Sequence, residues 1–373
     1  MKEVERMNYK IIIPIVAIAI IVASVFAYQY LSTPQTITLN GAGATFPFPL
    51  IDKWTAEYHK IKPNVQVNYQ SIGSGGGIKQ HTEKTVYFGA SDAPLTEQQF
   101  ADAPNTLHIP MTIGGVVPTY NVPGVSKGLK FTGEILADIF LGKITKWNDL
   151  RLMALNPETS LPDQDIIVVH RSDGSGTTFV FTQYLSEISQ EWKTTVGKST
   201  SVNWPTGLGG KGNEGVAGLI SQNPYSIGYV EFIYAKKNSL TWGYVQNAAG
   251  EFVEPSLESF STAGSFATVT LPRGDESWSR VSIIDGIVNN TQAIGAYPIT
   301  SFSYFLVYKE LNVLPNMNED AAKTLVEFLW WTIHGGQSFS SELVYVPLSA
   351  EVITHNEATI RMITFNGQQL YQG

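Results

Sequence analysis

Residues 166–178 read IIVVHRSDGSGTT, and this stretch decides how the rest of the chain is interpreted. The apolar, β-branched run 166–169 predicts a buried strand. It ends in a turn rich in glycine, serine and threonine, and a segment with apolar residues at helical spacing follows. At such a junction the unpaired N–H groups of the first helical turn and the helix dipole favour an anion. Arg171 adds a planar fork that matches tetrahedral oxyanions, so this loop is predicted to hold one.

Three strands in the first hundred residues end in loops that carry similar polar residues. The alternating segment 36–39 runs into a loop that contains Thr45, and a second alternating segment, 65–69, runs into a loop that contains Ser74. A third predicted strand, 86–90, is followed by Ser91 and Asp92. Strands that alternate with helices in this way are typical of a parallel sheet with crossover helices, in which ligands bind at the carboxyl ends of the strands.

The later part of the chain predicts a second group of elements. Two apolar segments, 113–120 and 296–309, are predicted to be strands that cross the molecule, and an amphipathic helix is predicted over 322–334. The glycine-rich stretch 203–215 is predicted to be a loop; its GLGGKG formally matches a dinucleotide-binding motif, but no clear strand precedes it. Two α/β lobes with a cleft between them therefore fit better than one continuous sheet.

Composition excludes several classes of protein. The chain has 373 residues, 43% of them hydrophobic and 15% charged, and a net charge of -8. Such an acidic balance argues against a nucleic-acid partner, which usually meets a basic face. The absence of cysteine rules out disulfides and a lipid-bearing cysteine. The six histidines show no metal-ligand spacing, so neither a metal nor another cofactor is predicted.

The N-terminal segment predicts export. Residues 11–28 contain no charge, basic residues precede them, and no lysine or arginine follows until Lys53. This asymmetry predicts that the bulk of the chain lies outside the cytoplasm. The apolar run is compatible with a signal peptide cleaved after Ala27 and with an uncleaved membrane anchor. Residues 1–35 are assigned to this segment and its linker.

Taken together, the motifs of this chain resemble those of the phosphate-binding proteins of Pst-type ABC importers. The resemblance runs from about residue 39 to the C-terminal helix and rests on GAGATFP (41–47), IGSGG (72–76), FGASDAP (88–94), IFLGKITKWND (139–149), RSDGSGT (171–177) and WPTGLGGKG (204–212). It implies an α/β, two-lobed periplasmic-binding-protein fold, type II-like, with mixed sheets flanked by helices and a ligand cleft between the lobes. The implied lobes are 36–117 with 297–373, and 118–296.

The resemblance also implies which residues bind the ligand. The family's phosphate contacts fall on Thr45, Phe46, Ser74, Asp92, Arg171, Ser175, Gly176 and Thr177. Phe46 would contribute its backbone N–H, and Asp173 corresponds to the acid that pairs with the arginine. Two positions depart from the family pattern: Gly75, where relatives often carry serine, and Phe48, where a smaller residue is common.

The implied function is capture of inorganic phosphate outside the cytoplasm and its delivery to a membrane-embedded ABC permease, by a monomer that is not an enzyme. Asp92 fits this ligand because phosphate keeps a P–OH group near neutral pH that can donate a hydrogen bond to a carboxylate, whereas sulfate has none. Arsenate carries the same proton and remains an alternative ligand. The alternative activity is that of a phosphatase or serine hydrolase using Ser175, with His170 nearby, although the sequence around Ser175 departs from the GxSxG elbow.

Overall fold

The computed structural model describes residues 36–266 and 270–371, together with Ala19. The remainder of the segment 1–35, with its predicted signal or anchor and its linker, lies outside the described residues. Among the described residues, no helix combines the length and the apolar character that a bilayer crossing requires.

Strands and helices alternate through most of the described chain. The strands are β1 Ile37–Gly43, β2 Val65–Ser71, β3 Phe88–Ser91, β4 Thr106–Asn121, β5 Lys130–Phe131, β6 Ile167–Arg171, β7 Leu208–Gly210, β8 Ser226–Glu231, β9 Thr241–Trp242, β10 Tyr244–Gln246, β11 Phe252–Val253, β12 Thr300–Tyr308, β13 Thr364–Phe365 and β14 Gln368–Gln369. The α-helices are α1 Phe48–Ile61, α2 Ser74–Thr82, α3 Glu97–Asp102, α4 Gly133–Phe140, α5 Leu150–Leu155, α6 Gly176–Ile188, α7 Gln190–Thr195, α8 Gly212–Gln222, α9 Phe232–Lys237, α10 Leu257–Phe266, α11 Ile283–Ile287, α12 Glu319–Ile333 and α13 Ala350–Ile360. Short 3-10 helices cover Leu311–Val313, Gly335–Phe339 and Ser341–Leu343.

Two long strands organise the main sheet, whose order is β2-β1-β3-β12-β4-β8-β6-β7, with β9 also paired to β4. Strand β4 is 16 residues long; its first part pairs antiparallel with β12 and its second part pairs antiparallel with β8. In the first half-sheet β1 runs parallel to β2 and β3, and in the second β6 runs parallel to β7 and β8. The two half-sheets therefore share one strand.

The two crossing strands were predicted from sequence at 113–120 and 296–309, and the structure places them at β4 and β12 with different ends. Strand β4 starts at Thr106, farther upstream, because its residues remain buried over almost the whole length. The polar His108 and the proline at Pro110 hide that continuation in the sequence. The mixed sheets expected from sequence are thus joined through β4 into one hydrogen-bonded sheet.

The prediction that 203–215 forms a loop is wrong for its second half, which contains β7 and the start of α8. Gly212 makes the entry into α8 possible: its φ is +71°, and a methyl group built there would lie 2.5 Å from Glu214 Oε2. The helix is held by burial of Val216 and Ile220, both fully inaccessible to solvent. Packing therefore overrides the poor helix propensity of a glycine-rich sequence.

The first half-sheet is assembled from both ends of the described chain. Helix α1 buries Leu50, Trp54 and Tyr58 on one face, and these residues recur in the sequence at the spacing of a helical face. The indole Nε1 of Trp54 donates a hydrogen bond to the carbonyl oxygen of Gly336, 2.7 Å away and 282 residues farther along the chain. Helix α12, predicted at 322–334, starts three residues earlier and buries its apolar face in the same core.

Candidate functional site

The strand-to-helix junctions singled out in the sequence meet at one place. Strands β1, β2 and β3 are parallel neighbours, so the loops that follow them lie along the same edge of the first half-sheet. The loop after β6 faces them from the second half-sheet: the N–H of Gly75 donates to the carbonyl oxygen of Gly174 at 2.9 Å. A polar site is thereby enclosed between the half-sheets, as expected for the carboxyl ends of parallel strands.

Thr45 and Phe46, in the loop after β1, are held through their backbone carbonyl groups. The hydroxyl of Tyr234 donates to the Thr45 carbonyl at 2.6 Å, and the hydroxyl of Tyr345 donates to the Phe46 carbonyl at 2.5 Å. Both loop residues are buried. Two tyrosines from distant parts of the chain thus fix the course of this loop.

Asp92 is an almost completely buried carboxyl group, with 1% of its surface exposed. The Ser303 hydroxyl donates to its Oδ1 at 2.8 Å, and the Ser74 hydroxyl donates to its Oδ2 at 3.3 Å while accepting from the Asp92 N–H at 3.2 Å. Burial raises the pKa of Asp92 from its ordinary value to about 7, although the Ser303 hydrogen bond, the charge of Arg171 and the Ser74 hydrogen bond oppose this.

Arg171, at the end of β6, is paired with Asp173 in a two-pronged arrangement. Its Nε lies 2.8 Å from Oδ1 and its Nη2 lies 2.6 Å from Oδ2, with only 1% of the arginine side chain exposed. Burial acts to raise the pKa of Asp173, but the hydrogen bonds and charge of Arg171 outweigh it and hold that pKa below its ordinary value. Because Nη1 faces Thr177 Oγ1 at 3.3 Å, part of the guanidinium still points into the site.

Ser175, Gly176 and Thr177 form the beginning of α6. Ser175 is the N-cap, and its Oγ accepts a hydrogen bond from the N–H of Thr178 at 3.0 Å. The N–H groups of Gly176 and Thr177 belong to the first helical turn, where no carbonyl of the same helix can accept them. All three residues are buried, so these amides form a positive helix terminus inside the site.

The half-sheets approach each other closely at several glycines, among them Gly176 and Gly75. A methyl group built on Gly176 would lie 2.4 Å from both Asp92 Oδ2 and Ser74 Oγ. One built on Gly75 would lie 2.9 Å from Gly174 Cα. The departure from the family pattern at Gly75 therefore coincides with a tight backbone contact between the half-sheets.

His170, considered with Ser175 as a hydrolase pair, is engaged elsewhere. Its ring stacks on Trp204 with centroids 4.8 Å apart, and its Nδ1 lies 3.0 Å from the Arg171 carbonyl oxygen. In the part of the chain that the structure describes, no imidazole is hydrogen-bonded to the Ser175 hydroxyl. Ser175 thus has the surroundings of a helix cap.

Two residues of this site were missed in the sequence. Asn213 lies in α8, within the stretch predicted to be a loop, and its Nδ2 donates to Thr45 Oγ1 at 2.8 Å and to Thr177 Oγ1 at 3.1 Å. Ser303 lies on β12 and was counted only as part of a crossing strand. Neither residue is marked out in the sequence, because Ser303 is one of two serines in its strand and Asn213 can be placed only when the start of α8 is known.

With these contacts, the residues named from sequence form one connected polar cluster. Thr45 is linked through Asn213 to Thr177 and onward to Arg171 and Asp173. Ser74 and Asp92 are hydrogen-bonded to each other and lie against Gly176. Phe46 and Ser175 are chain neighbours of members of this cluster.

Comparisons with known proteins agree with this architecture. The PBP superfamily domain matches residues 29–330. The phosphate-binding protein PstS of Pasteurella multocida is 47% identical over 341 residues, covering 91% of this chain and 94% of that protein.

Solved structures with low sequence identity share the fold. A high-affinity periplasmic phosphate-binding protein, solved with phosphate bound, has a TM-score of 0.67 at 19% identity, covering 86% of this chain and 93% of that one. A phosphate ABC transporter substrate-binding protein from Clostridium perfringens with bound phosphate has a TM-score of 0.60 at 18% identity, covering 84% of this chain and all of that one.

The fold is therefore the two-lobed α/β architecture of periplasmic binding proteins, with the polar cluster enclosed between the half-sheets. The chain belongs to the PstS family of substrate-binding proteins, within the PBP superfamily.

Proposed function

We propose that this protein captures inorganic phosphate outside the cytoplasm, in the cleft between its two lobes, and delivers it to an ABC permease in the membrane. The proposed lobes are 36–117 with 297–373, and 118–296. The observation that carries the proposal is Asp92, a carboxyl group buried among hydrogen-bond donors at the place where the half-sheets meet. The similar proteins carry the name of phosphate-binding proteins, and this supports the same ligand for the present chain.

The donors around the cluster suit a desolvated oxyanion. Burying phosphate removes its water, which is costly unless each oxygen finds hydrogen bonds in the protein. The hydroxyls of Thr45, Ser175 and Thr177, the first-turn amides of α6 and the Nη1 side of Arg171, which Asp173 does not occupy, can supply them. At roughly 1.5–3 kcal/mol for each charge-assisted bond, several together are compatible with micromolar or tighter binding after the cost of association.

Asp92 favours phosphate over sulfate because phosphate carries a proton near neutral pH and sulfate does not. Near neutral pH phosphate carries at least one P–OH group, which can donate to the carboxylate, whereas sulfate would place unprotonated oxygens against it. A mismatch of this kind can discriminate by about 10⁴–10⁵. Arsenate carries the same proton, and the hydrogen-bonding argument applies to it equally.

The test is calorimetric titration of the purified protein with phosphate, arsenate and sulfate, after removal of bound anion by unfolding and refolding. We expect phosphate to bind and sulfate to fail at the same concentration. Mass-spectrometric identification of the anion that co-purifies gives an independent answer. Sulfate binding as tight as phosphate, or no phosphate binding at all, would contradict the proposal.

We further propose that the site binds and releases its ligand without chemistry. The family is one of substrate-binding proteins, and the Ser175 hydroxyl caps a helix rather than meeting a general base. Incubation with a chromogenic phosphomonoester should give no product above the rate in buffer. Turnover that Ser175→Ala abolishes would identify a phosphatase instead.

The remaining proposals concern the setting of the protein. The N-terminal segment supports export, followed either by cleavage or by anchoring, and we propose that the binding unit acts as a monomer. Separation of membrane and soluble fractions, with N-terminal sequencing, would decide between the two forms. Sedimentation analysis would test the monomer.

A further inference from the structure

Asn213 lies between the two half-sheets and has no exposed surface. It is the second residue of α8, and its side-chain amide reaches two of the hydroxyls named as ligand groups. The Nδ2 atom lies 2.8 Å from Thr45 Oγ1 and 3.1 Å from Thr177 Oγ1. The amide therefore contacts one threonine from each side of the site.

The orientation of this amide is determined by its other end. The backbone N–H of Glu231 can only donate, and it lies 2.9 Å from Asn213 Oδ1. The oxygen of the amide must therefore face Glu231, and the NH2 group must face the threonines. An NH2 group has two hydrogens, so it can donate one to each hydroxyl.

Each threonine hydroxyl also receives a second donor. Thr45 Oγ1 accepts from the backbone N–H of Asn213 at 3.3 Å, and Thr177 Oγ1 accepts from Arg171 Nη1 at 3.3 Å. A hydroxyl has one hydrogen and two lone pairs. With both lone pairs occupied by N–H groups, each threonine has only its hydrogen left to offer.

We propose that Asn213 is a positioning residue that determines specificity: it fixes Thr45 and Thr177 as obligate hydrogen-bond donors. The anion must then present unprotonated oxygens to the two threonines and can place its proton only toward Asp92. The ligand is thus selected for protonation at one oxygen and held in one orientation. This inference rests on the proposed binding of phosphate.

The test uses Asn213→Ala and Asn213→Asp, each made in the wild-type chain and in a Thr45→Val background, with calorimetric titration by inorganic phosphate. We expect N213A to weaken binding about tenfold, the usual effect of losing a buried hydrogen-bond partner. N213D should weaken it further, because a carboxylate accepts the threonine hydrogens and withdraws them from the anion.

The Thr45→Val background separates an effect of Asn213 through the threonine hydroxyls from a purely structural link between the half-sheets. If Asn213 acts through the hydroxyls, N213A should cost about threefold less in that background than in the wild type, since one of its two targets is gone. The part of the N213D loss that persists there contains the effect on Thr177 together with charge repulsion. Asn223→Ala, at the other end of α8, removes an amide that bonds only within its own turn at 2.7 Å and should leave binding unchanged.

Two results would overturn the inference while the wild type still binds phosphate. One is an N213A effect of the same size in both backgrounds. The other is N213D binding as well as N213A, which is expected if Asn213 merely ties the half-sheets together, because aspartate can accept both hydroxyls. If N213D does not fold, the N213A comparison alone decides. A wild type that does not bind phosphate would refute the proposed function, and this inference with it.

Discussion

Asp92 combines two properties that are seldom found together: it is buried, and it lies in a cluster of hydrogen-bond donors that suits an anion. Its oxygens already accept from Ser303 and Ser74, so the carboxyl group is held in a fixed plane. The cationic Arg171 is partly neutralised by Asp173. The chemistry of the site therefore depends on hydrogen-bond direction more than on net charge.

Asp92→Asn tests that dependence. The substitution keeps the shape and an oxygen for Ser303, but it replaces one acceptor with an NH2 donor. We expect phosphate to bind more weakly and sulfate more tightly, so that the preference for phosphate falls from about 10⁴ by at least about a hundredfold. Calorimetric titration with both anions measures the ratio.

The matched control is Asp102→Asn, on the exposed helix α3, which removes a carboxylate from the surface. It should change neither affinity nor selectivity. If Asp92→Asn leaves the ratio of phosphate to sulfate affinity unchanged, the selective role of Asp92 is wrong.

For single residues, the sequence predicts which side chains come together at the candidate site better than it predicts their hydrogen-bond partners. Thr45, Ser74 and Arg171 stand out because each lies where a predicted strand gives way to a glycine-rich loop. Ser303 and Asn213 do not, since their partners come from other elements and depend on strand register and helix start. A hydrogen bond across 211 residues, as between Ser303 and Asp92, leaves no local pattern.

Among the helices and strands, α6 allows a steric prediction, which concerns a methyl group added at Gly176. Alanine there suits a helix, but its methyl group would lie 2.4 Å from Asp92 Oδ2 and Ser74 Oγ when the half-sheets are in contact. We expect Gly176→Ala to leave the melting temperature unchanged or higher while weakening phosphate binding at least about a hundredfold, because closure costs a few kcal/mol more. Thermal unfolding and titration of the same sample measure both effects.

Gly218→Ala supplies the control for that variant. Gly218 lies within α8, and a methyl group built there would meet nothing within 4 Å. It should gain about 0.5–1 kcal/mol in unfolding free energy and bind phosphate normally. Normal binding by Gly176→Ala would show that the close approach at this glycine is not required.

The elements themselves are predictable where burial gives a regular period. Helix α1 and strand β2 have the expected positions because their apolar residues recur at 3.6 and 2 residues. The sequence of residues 247–278 shows no such period, yet this segment contains β11 and α10, a helix with small and polar residues on several faces. Such elements owe their conformation to the surface on which they pack.

For the whole molecule, the contact between half-sheets predicts a closing motion upon binding. A ligand held by both sides stabilises the folded, closed form by RT ln(1 + [L]/Kd), which is about 4 kcal/mol at a thousandfold excess over Kd. We expect phosphate to raise the melting temperature and to lower the radius of gyration measured by solution scattering. Identical scattering profiles with and without phosphate, in a sample whose melting temperature does rise, would argue for a preformed cleft.

Closure without ligand should depend on pH. Burial raises the pKa of Asp92 from 3.8 to about 7 in the closed arrangement, so the closed form holds a proton more tightly than a form whose cleft is open to water. This contribution to closure is fully present below the ordinary pKa and is lost as pH rises through about 7.

The measurement is the radius of gyration of phosphate-free protein at about pH 5 and pH 8, where the second value should be larger. Asp92→Asn should reduce the difference, because it removes the carboxyl group whose titration favours closure. Equal radii in the wild type at both pH values would contradict the expectation.

The position of β12 has a consequence for how the chain acquires its structure. This strand lies between β3 and β4 in the sheet, although about two hundred residues separate it from them in the chain. Until β12 has been synthesised, the facing edges of β3 and β4 have no partner, and the first half-sheet cannot close. The first half-sheet of the nascent chain therefore stays incomplete until the last quarter of the chain emerges, a delay that would suit the proposed export if the chain crosses the membrane before it folds.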